Sequence, residues 1–254
     1  MPTLFDLTGR TALITGSSQG IGYALAEGLA AHGATVILNG RSPEKLDAAV
    51  KTLADQDYTT HTAPFDVTHA EAIEASVAKI EAEIAPIDIL VNNAGMQHRA
   101  SLEDFPHDKW DDLLKTNLTS VFYVAQAVAR FMLTRGHGKI INIASATSEL
   151  ARASVAPYTA TKGAVKSLTR GMATDWAKHG LQVNAIGPGY FKTPLNKALM
   201  ENTEFTAWLE SRTPAGRWGD LDELKGAAVF LASDASNFVN GHTLYVDGGL
   251  TISL

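Results

Sequence analysis

Tyr158 and Lys162 stand four positions apart in Tyr158-Thr159-Ala160-Thr161-Lys162-Gly163-Ala164, among otherwise small residues. On a helix this spacing puts both side chains on one face. A tyrosine hydroxyl titrates near 10, too high for an efficient base at neutral pH, but a nearby cation stabilises the phenolate and lowers that value. A tenfold gain in phenolate acidity takes about 1.4 kcal/mol of such stabilisation. Lys162 can supply the cation, and the pair then forms a general acid/base. Ser145, thirteen residues before Tyr158, can hydrogen-bond a substrate oxygen and hold it beside the tyrosine. Spacing alone leaves a second reading open: Tyr158 and Lys162 share a solvated helix face, and Ser145 is a turn or cap residue.

The elements that must position these groups are legible as an alternation. Thr11–Thr15, Thr35–Leu38, Ile87–Val91, Lys139–Ile143, Val183–Ile186 and Leu244–Val246 read as buried strands. Helical patterns fall at Ile21–His32, Pro43–Ala54, Ala70–Ile84, Trp110–Leu133, Tyr158–His179 and Leu221–Leu231. Strands without polar alternation, separated by helices, predict a parallel sheet covered on both faces, that is, a Rossmann-type doubly wound α/β fold with right-handed crossovers. With no repeat, linker or low-complexity segment, residues 1–254 read as one domain. Residues 190–215 break the rhythm with Pro194 and Pro214, and are expected to form a substrate lid over the sheet edge.

The first strand runs into Thr15-Gly16-Ser17-Ser18-Gln19-Gly20-Ile21-Gly22 and then a helix. Backbone N–H groups in such a turn approach a pyrophosphate, whose charge the helix N-terminus favours. The spacing is G-x-x-x-G-x-G rather than G-x-G-x-x-G, and glycines also serve tight strand-to-helix packing. A dinucleotide is the expected ligand, through Gly16, Ser18, Gln19, Gly20, Ile21 and Gly22. NAD sites carry an acid about 20 residues on, near the end of strand two. Here that strand ends in Leu38-Asn39-Gly40-Arg41, with no carboxylate before Glu44. Arg41 pairs well with a 2′-phosphate, so NADP(H) is favoured over NAD, with Asn39 and Arg41 as contacts. The other reading of Arg41 is a solvated loop residue. Asp66 and Val67 either contact the adenine, or Asp66 caps the helix that starts near Ala70. Asn93, Ala94 and Gly95 follow the strand Ile87–Val91 at its carboxyl end, where ligands bind. With a dinucleotide in place, the oxidised nicotinamide adds a second cation beside Tyr158.

The composition excludes several classes. The 254 residues are 45% hydrophobic with a formal net charge of −6, and no basic run suggests nucleic acid. There is no cysteine, hence no disulfide or thiolate chemistry. No His/Asp/Glu cluster has convincing metal-ligand spacing. No signal peptide is seen in the opening ten residues, and no apolar run is long enough to span a membrane, so a cytoplasmic protein is expected.

In order and spacing, T-G-x-x-x-G-x-G at Thr15–Gly22, N-N-A-G at Asn92–Gly95, Asn117, Ser145, Y-x-x-x-K at Tyr158–Lys162 and P-G at Pro188–Gly189 resemble the short-chain dehydrogenase/reductase family over nearly the whole chain. The resemblance implies an oxidoreductase with Tyr158 as acid/base, and Lys162 as its activator and a ribose ligand. Ser145 would orient the substrate, and Asn117 would hold a relay water. Pro188, Gly189, Tyr190 and Thr193 are implied near the nicotinamide. It also implies a homotetramer packed through the helix of Tyr158 and through Val239–Gly249. Within the family, Ser148–Arg152, Pro188–Thr193, Phe205–Leu209 and Arg212–Gly219 look most like the branch that interconverts D-gluconate and 5-keto-D-gluconate. That branch tends to carry Gly-Ile-Gln-Arg-Arg where this chain has Gly95-Met96-Gln97-His98-Arg99, so Arg99 is the safer carboxylate partner. A polyol acid needs a cation for its carboxylate and polar groups for its hydroxyls. Gln97, Arg99, Glu149 and Arg152 are the expected substrate contacts, with Ser145 and Tyr158; otherwise Glu149 and Arg152 pair with each other. The rivals are reduction of another keto sugar acid or a 3-oxoacyl thioester, and a non-catalytic dinucleotide-binding protein.

Overall fold

The computed structural model describes residues 3–253, so Met1, Pro2 and Leu254 of the expected domain lie outside the described residues. In chain order the first half runs β1 (Thr11–Ile14), α1 (Gly20–Ala30), β2 (Thr35–Gly40), α2 (Pro43–Ala54), β3 (Thr60–Pro64), α3 (Ala70–Glu83) and β4 (Ile89–Asn92). The second half runs α4 (His107–Leu114), α5 (Ser120–Arg135), β5 (Gly138–Ile143), α6 (Ala156–Trp176), β6 (Leu181–Pro188), α7 (Lys197–Met200), α8 (Thr203–Arg212), α9 (Lys225–Ala232) and β7 (Thr243–Val246). The strands form one seven-stranded sheet in the order β3-β2-β1-β4-β5-β6-β7, and every pairing is parallel. The doubly wound expectation holds. The order reverses between β1 and β4, so a crevice opens there at the carboxyl ends of the strands.

Successive strand residues face opposite sides, and both sides are covered. Ile14, Leu38, Val91 and Ile141 pack with Leu25, Leu29 and Leu46 of α1 and α2. Their neighbours Leu13, Ile37, Leu90 and Ile140 pack instead with Ile73, Val124 and Val128 of α3 and α5. This is why the strands read as continuous apolar runs. Helix α2 shows the local rules plainly: Ser42 Oγ caps the start by accepting from Lys45 N–H, Pro43 opens the first turn, and Leu46, Ala49 and Leu53 are buried.

Two departures from the sequence reading stand out. Strand β3 falls outside the expected strands. It lies at the sheet edge with only Ala63 fully buried, so it carries no apolar run to betray it. The single helix expected over 110–133 is instead α4 and α5 joined by a π-helical turn at Lys115–Thr119. Asn117 sits in that turn and its side chain bonds both backbone groups of Met96. The wider turn brings a polar side chain inward to hold the loop after β4, a placement often found at functional sites. The expected lid holds a Thr193-capped turn at Pro194–Asn196, then α7 and α8.

Candidate active site

The glycine loop is tied to strands on both sides. Thr15 Oγ1 accepts from Asn93 N–H and Ala94 N–H, each at 3.0 Å. Asn93 Nδ2 donates to Thr15 O at 3.0 Å and Gly16 O at 2.9 Å. On the other side Asn39 Oδ1 accepts from Gly16 N–H at 3.3 Å, while its Nδ2 donates to Ala63 O and Phe65 O, both at 3.0 Å. Asn39, expected as a cofactor contact, thus has its side chain committed to bracing the loop. Gly16 and Gly20 both have φ +62, a left-handed backbone that other residues rarely adopt. At α1 the N-cap Gln19 makes no side-chain bond, so the first-turn N–H groups remain for a ligand. These features fit a pyrophosphate.

Gly22 is required by space: a β-carbon there would lie 2.4 Å from Asn93 Nδ2 and 2.6 Å from Gly16 O. A Gly22→Ala variant must push the loop away from β4. It is expected to weaken dinucleotide binding at least tenfold, about 1.4 kcal/mol, and to lower the melting temperature. Fluorescence titration and thermal melting check this; unchanged affinity contradicts the cradle.

Arg41 is exposed just beyond β2, and Ser18 lies near Gly40 beside it. Asp66 does not cap α3, whose N-cap is His69; its Oδ1 accepts from Thr68 N–H and Thr68 Oγ1, each at 2.8 Å. Burial raises the Asp66 pKa, but the Thr68 bonds and the Arg41 charge bring it below its ordinary value. Val67 turns its side chain into the core. Gly189 has no room for a side chain, because a β-carbon would meet Asp247 Cα at 2.7 Å. The Thr193 side chain accepts from Asn196 N–H at 3.2 Å, and a β-carbon on Gly20 would lie 3.9 Å from Pro194 Cδ. Pro194 therefore reaches the glycine loop.

Tyr158 and Lys162 lie on α6, one turn apart, with Lys162 Nζ 5.7 Å from the centroid of the Tyr158 ring. Lys162 is buried, and its Nζ donates to Ile143 O at 2.6 Å. Burial lowers its pKa to about 8. Burial likewise pushes the Tyr158 hydroxyl up to about 12, countered by the Ser145 hydroxyl and by the charge of Arg99. Ser145, at the end of β5, accepts from Thr147 N–H at 3.1 Å and Thr147 Oγ1 at 3.0 Å. Both contacts use its lone pairs, so its own proton is left to donate. The Asn117 Oδ1 accepts from Met96 N–H at 2.8 Å, and its Nδ2 donates to Met96 O at 2.9 Å and Thr161 Oγ1 at 3.3 Å. A relay water at Asn117 would therefore use main-chain atoms. The structure thus brings Asn117, Ser145, Tyr158 and Lys162 together around the ends of β4 and β5.

The substrate side is less uniform. Gln97 Oε1 accepts from His98 N–H at 3.1 Å, and the His98 ring meets Phe105 edge-on at 5.3 Å. Arg99 keeps contact with solvent, yet partial burial together with repulsion from Arg152 lowers its pKa. The fields of Tyr158 and Tyr190 also reach it. Glu149 does not pair with Arg152: it bonds Lys166 and accepts from the Tyr245 hydroxyl at 2.8 Å. Its carboxylate is engaged away from the arginines. Sequence reasoning missed that Tyr190 belongs to an aromatic cluster. Tyr190 meets Phe205 at 5.5 Å and Trp218 at 5.8 Å, both edge-on. A signal was present, since Phe205 and Trp208 stand three apart on α8, but it says nothing of what they face. A cavity of about 520 Å³ at the other end of the sheet, reaching Arg10, Lys139 and Asp234, contains none of these groups.

The chain belongs to the short-chain dehydrogenase/reductase family. A family model described as enoyl-(acyl carrier protein) reductase matches residues 16–251. A gluconate 5-dehydrogenase of Gluconobacter oxydans (strain 621H) is 59% identical over 253 residues, covering 100% of this chain and 99% of the relative. A 5-keto-D-gluconate 5-reductase of Escherichia coli (strain K12) is 54% identical over 254 residues, covering 100% of both chains. A crystal structure of a gluconate 5-dehydrogenase from Burkholderia cenocepacia J2315, in complex with NADP and tartrate, superposes with a TM-score of 0.97. It shares 55% identity and covers 99% of this chain and 98% of that one.

Proposed function

We propose that this protein, an NADP-dependent oxidoreductase acting on a sugar acid, interconverts D-gluconate and 5-keto-D-gluconate with Tyr158 as the acid/base. The observation that carries the reading is the union of two groups at one crevice: a Ser145–Tyr158–Lys162 proton-transfer site, and two arginines, Arg99 and Arg152, that pair with no acid among the described residues. NADPH, when bound on the glycine loop, supplies the hydride. Gly16, Ser18, Gln19, Gly20, Ile21 and Gly22 hold its pyrophosphate, Arg41 its 2′-phosphate, and Asp66 and Val67 flank its adenine. Asn93, Ala94, Gly95, Pro188, Gly189 and Thr193 line the rest of its path. Ser145 donates to the C5 oxygen and Tyr158 gives it a proton. Lys162 holds positive charge beside the resulting phenolate. Arg99 and Arg152 take the carboxylate, and Gln97 a hydroxyl. Glu149 is left out, because Lys166 and Tyr245 hold it. The tartrate complex of the Burkholderia cenocepacia relative, a small dicarboxylate on a similar scaffold, supports an acid ligand.

The proposal includes a cytoplasmic location and a homotetramer. Phe122 and Phe131 of α5, beside α6, are exposed, as is Phe238 before β7. Light scattering tests the assembly; a monomer contradicts it. Among the described residues no helix is long and apolar enough to cross a membrane.

The substrate is tested by assaying 5-keto-D-gluconate, other keto sugar acids and a 3-oxoacyl thioester with NADPH. Highest kcat/KM on 5-keto-D-gluconate is expected; a preference for the thioester contradicts it. The pH dependence follows from the Tyr158 and Lys162 values. Reduction needs Tyr158 protonated, which a value of about 12 secures, and Lys162 charged, which holds below about 8. Reductive kcat/KM is therefore expected to be level near neutrality and to fall as pH rises through 8. Oxidation needs the phenolate with Lys162 still charged, so it is expected to rise with pH up to about 8 and then level off. A reductive rate that climbs with pH contradicts the assignment.

A further inference from the structure

Arg152 lacks the partners an arginine usually has. Its Nε is buried without a hydrogen-bond partner, and among the described residues no carboxylate pairs with it. A buried donor left alone is costly, so something must hold the side chain and something must complete it. What holds it is a ring on the lid. The Arg152 guanidinium carbon lies over Phe205 of α8, 5.1 Å from the ring centroid. That ring is itself fixed by Tyr190 at 5.5 Å, Trp208 at 5.3 Å and Trp218 at 6.1 Å. A guanidinium stacked on a ring keeps its N–H fork in its own plane, free for a planar acceptor. Among the described residues nothing completes it. Arg99 offers a second positive charge close enough to be felt, and Glu149, the acid nearest in sequence, is held by Lys166 and Tyr245. Two arginines close enough to repel one another, one of which also feels Tyr158, fit a carboxylate shared between them.

We propose that Phe205 is a specificity-determining positioning residue: its ring sets Arg152 to take the substrate carboxylate together with Arg99, so the lid reads the substrate's charge. This rests on the acid substrate proposed above. L-sorbose is the uncharged counterpart of 5-keto-D-gluconate, with the same ketone and a hydroxymethyl group in place of the carboxylate. Steady-state kinetics with NADPH on both substrates test the role.

In Phe205→Leu the KM for 5-keto-D-gluconate is expected to rise about tenfold, the size of a partly desolvated cation–π contact. Activity on L-sorbose and the KM for NADPH should change much less. Phe205→Tyr, which keeps the ring face, should retain wild-type selectivity. In an Arg152→Ala background, Phe205→Leu should add no further loss, because both changes remove one interaction. Equal losses on both substrates, an unchanged KM for the acid, or a full additional loss in the Arg152→Ala background overturns the role. A wild-type enzyme inactive on 5-keto-D-gluconate speaks against the substrate reading instead. A charge-selective wild type with an unaffected Phe205→Leu variant speaks against Phe205 alone.

Discussion

A Tyr158→Phe variant is expected to lose turnover by about a hundredfold to ten-thousandfold, the range that a positioned proton donor contributes. The change removes one oxygen and leaves the ring. Lys162 keeps its bond to Ile143 O, and Ser145 keeps both contacts with Thr147. The glycine loop, braced by Asn39, Thr15 and Asn93, is untouched. NADP affinity should therefore stay within a few-fold of wild type. Because phenylalanine cannot ionise, no pH should restore the rate. Pre-steady-state kinetics with a parallel cofactor titration check this. Full turnover by the variant would remove Tyr158 from the mechanism.

The second large effect is expected at Lys162→Met. The phenolate of Tyr158 is disfavoured by burial, and Lys162 is the buried cation one helical turn away. Without that ammonium the phenolate left after proton donation loses its stabilising charge. A fall of about a hundredfold or more in kcat near neutral pH is expected, on the scale of a positioned acid/base group. The pH response should separate this variant from Tyr158→Phe. Oxidation of D-gluconate by Lys162→Met should recover in part at high pH, where the phenol begins to ionise unaided. Reduction should lose the fall that wild type shows above about pH 8, because the titrating ammonium is gone. A variant that keeps both the wild-type rate and that fall contradicts the role of Lys162. Methionine fills similar volume, so the fold should survive, although Ile143 O gives up its donor.

Much of this site is legible in the sequence because its signals are local. Pro43 announces α2, the glycines of Thr15–Gly22 announce a tight strand-to-helix turn, and Tyr158 and Lys162 share a face by periodicity alone. The features that escape depend on partners remote in the chain. β3 is held by pairing with β2, and THTAP has no pattern of its own. In the π-turn at Lys115–Thr119, Asn117 reaches back 21 residues to Met96. Asn39 reads as a ligand residue from its place at the end of β2, yet its amide spans from Gly16 to Phe65. Glu149 reads as a partner for Arg152 three residues on, yet Tyr245, 96 residues away, competes for it with Lys166. The stacking of Arg152 on Phe205 joins the loop before α6 to α8. Spacing can show that a face exists, but not which face from elsewhere will meet it.

The most direct measurement is oxidation of NADPH by the wild-type protein with 5-keto-D-gluconate, the product identified by NMR and the run repeated with NADH. Stoichiometric D-gluconate, formed faster with NADPH than with NADH, is the expected result. No NADPH consumption, a product reduced with the opposite configuration at C5, or a clear preference for NADH contradicts it.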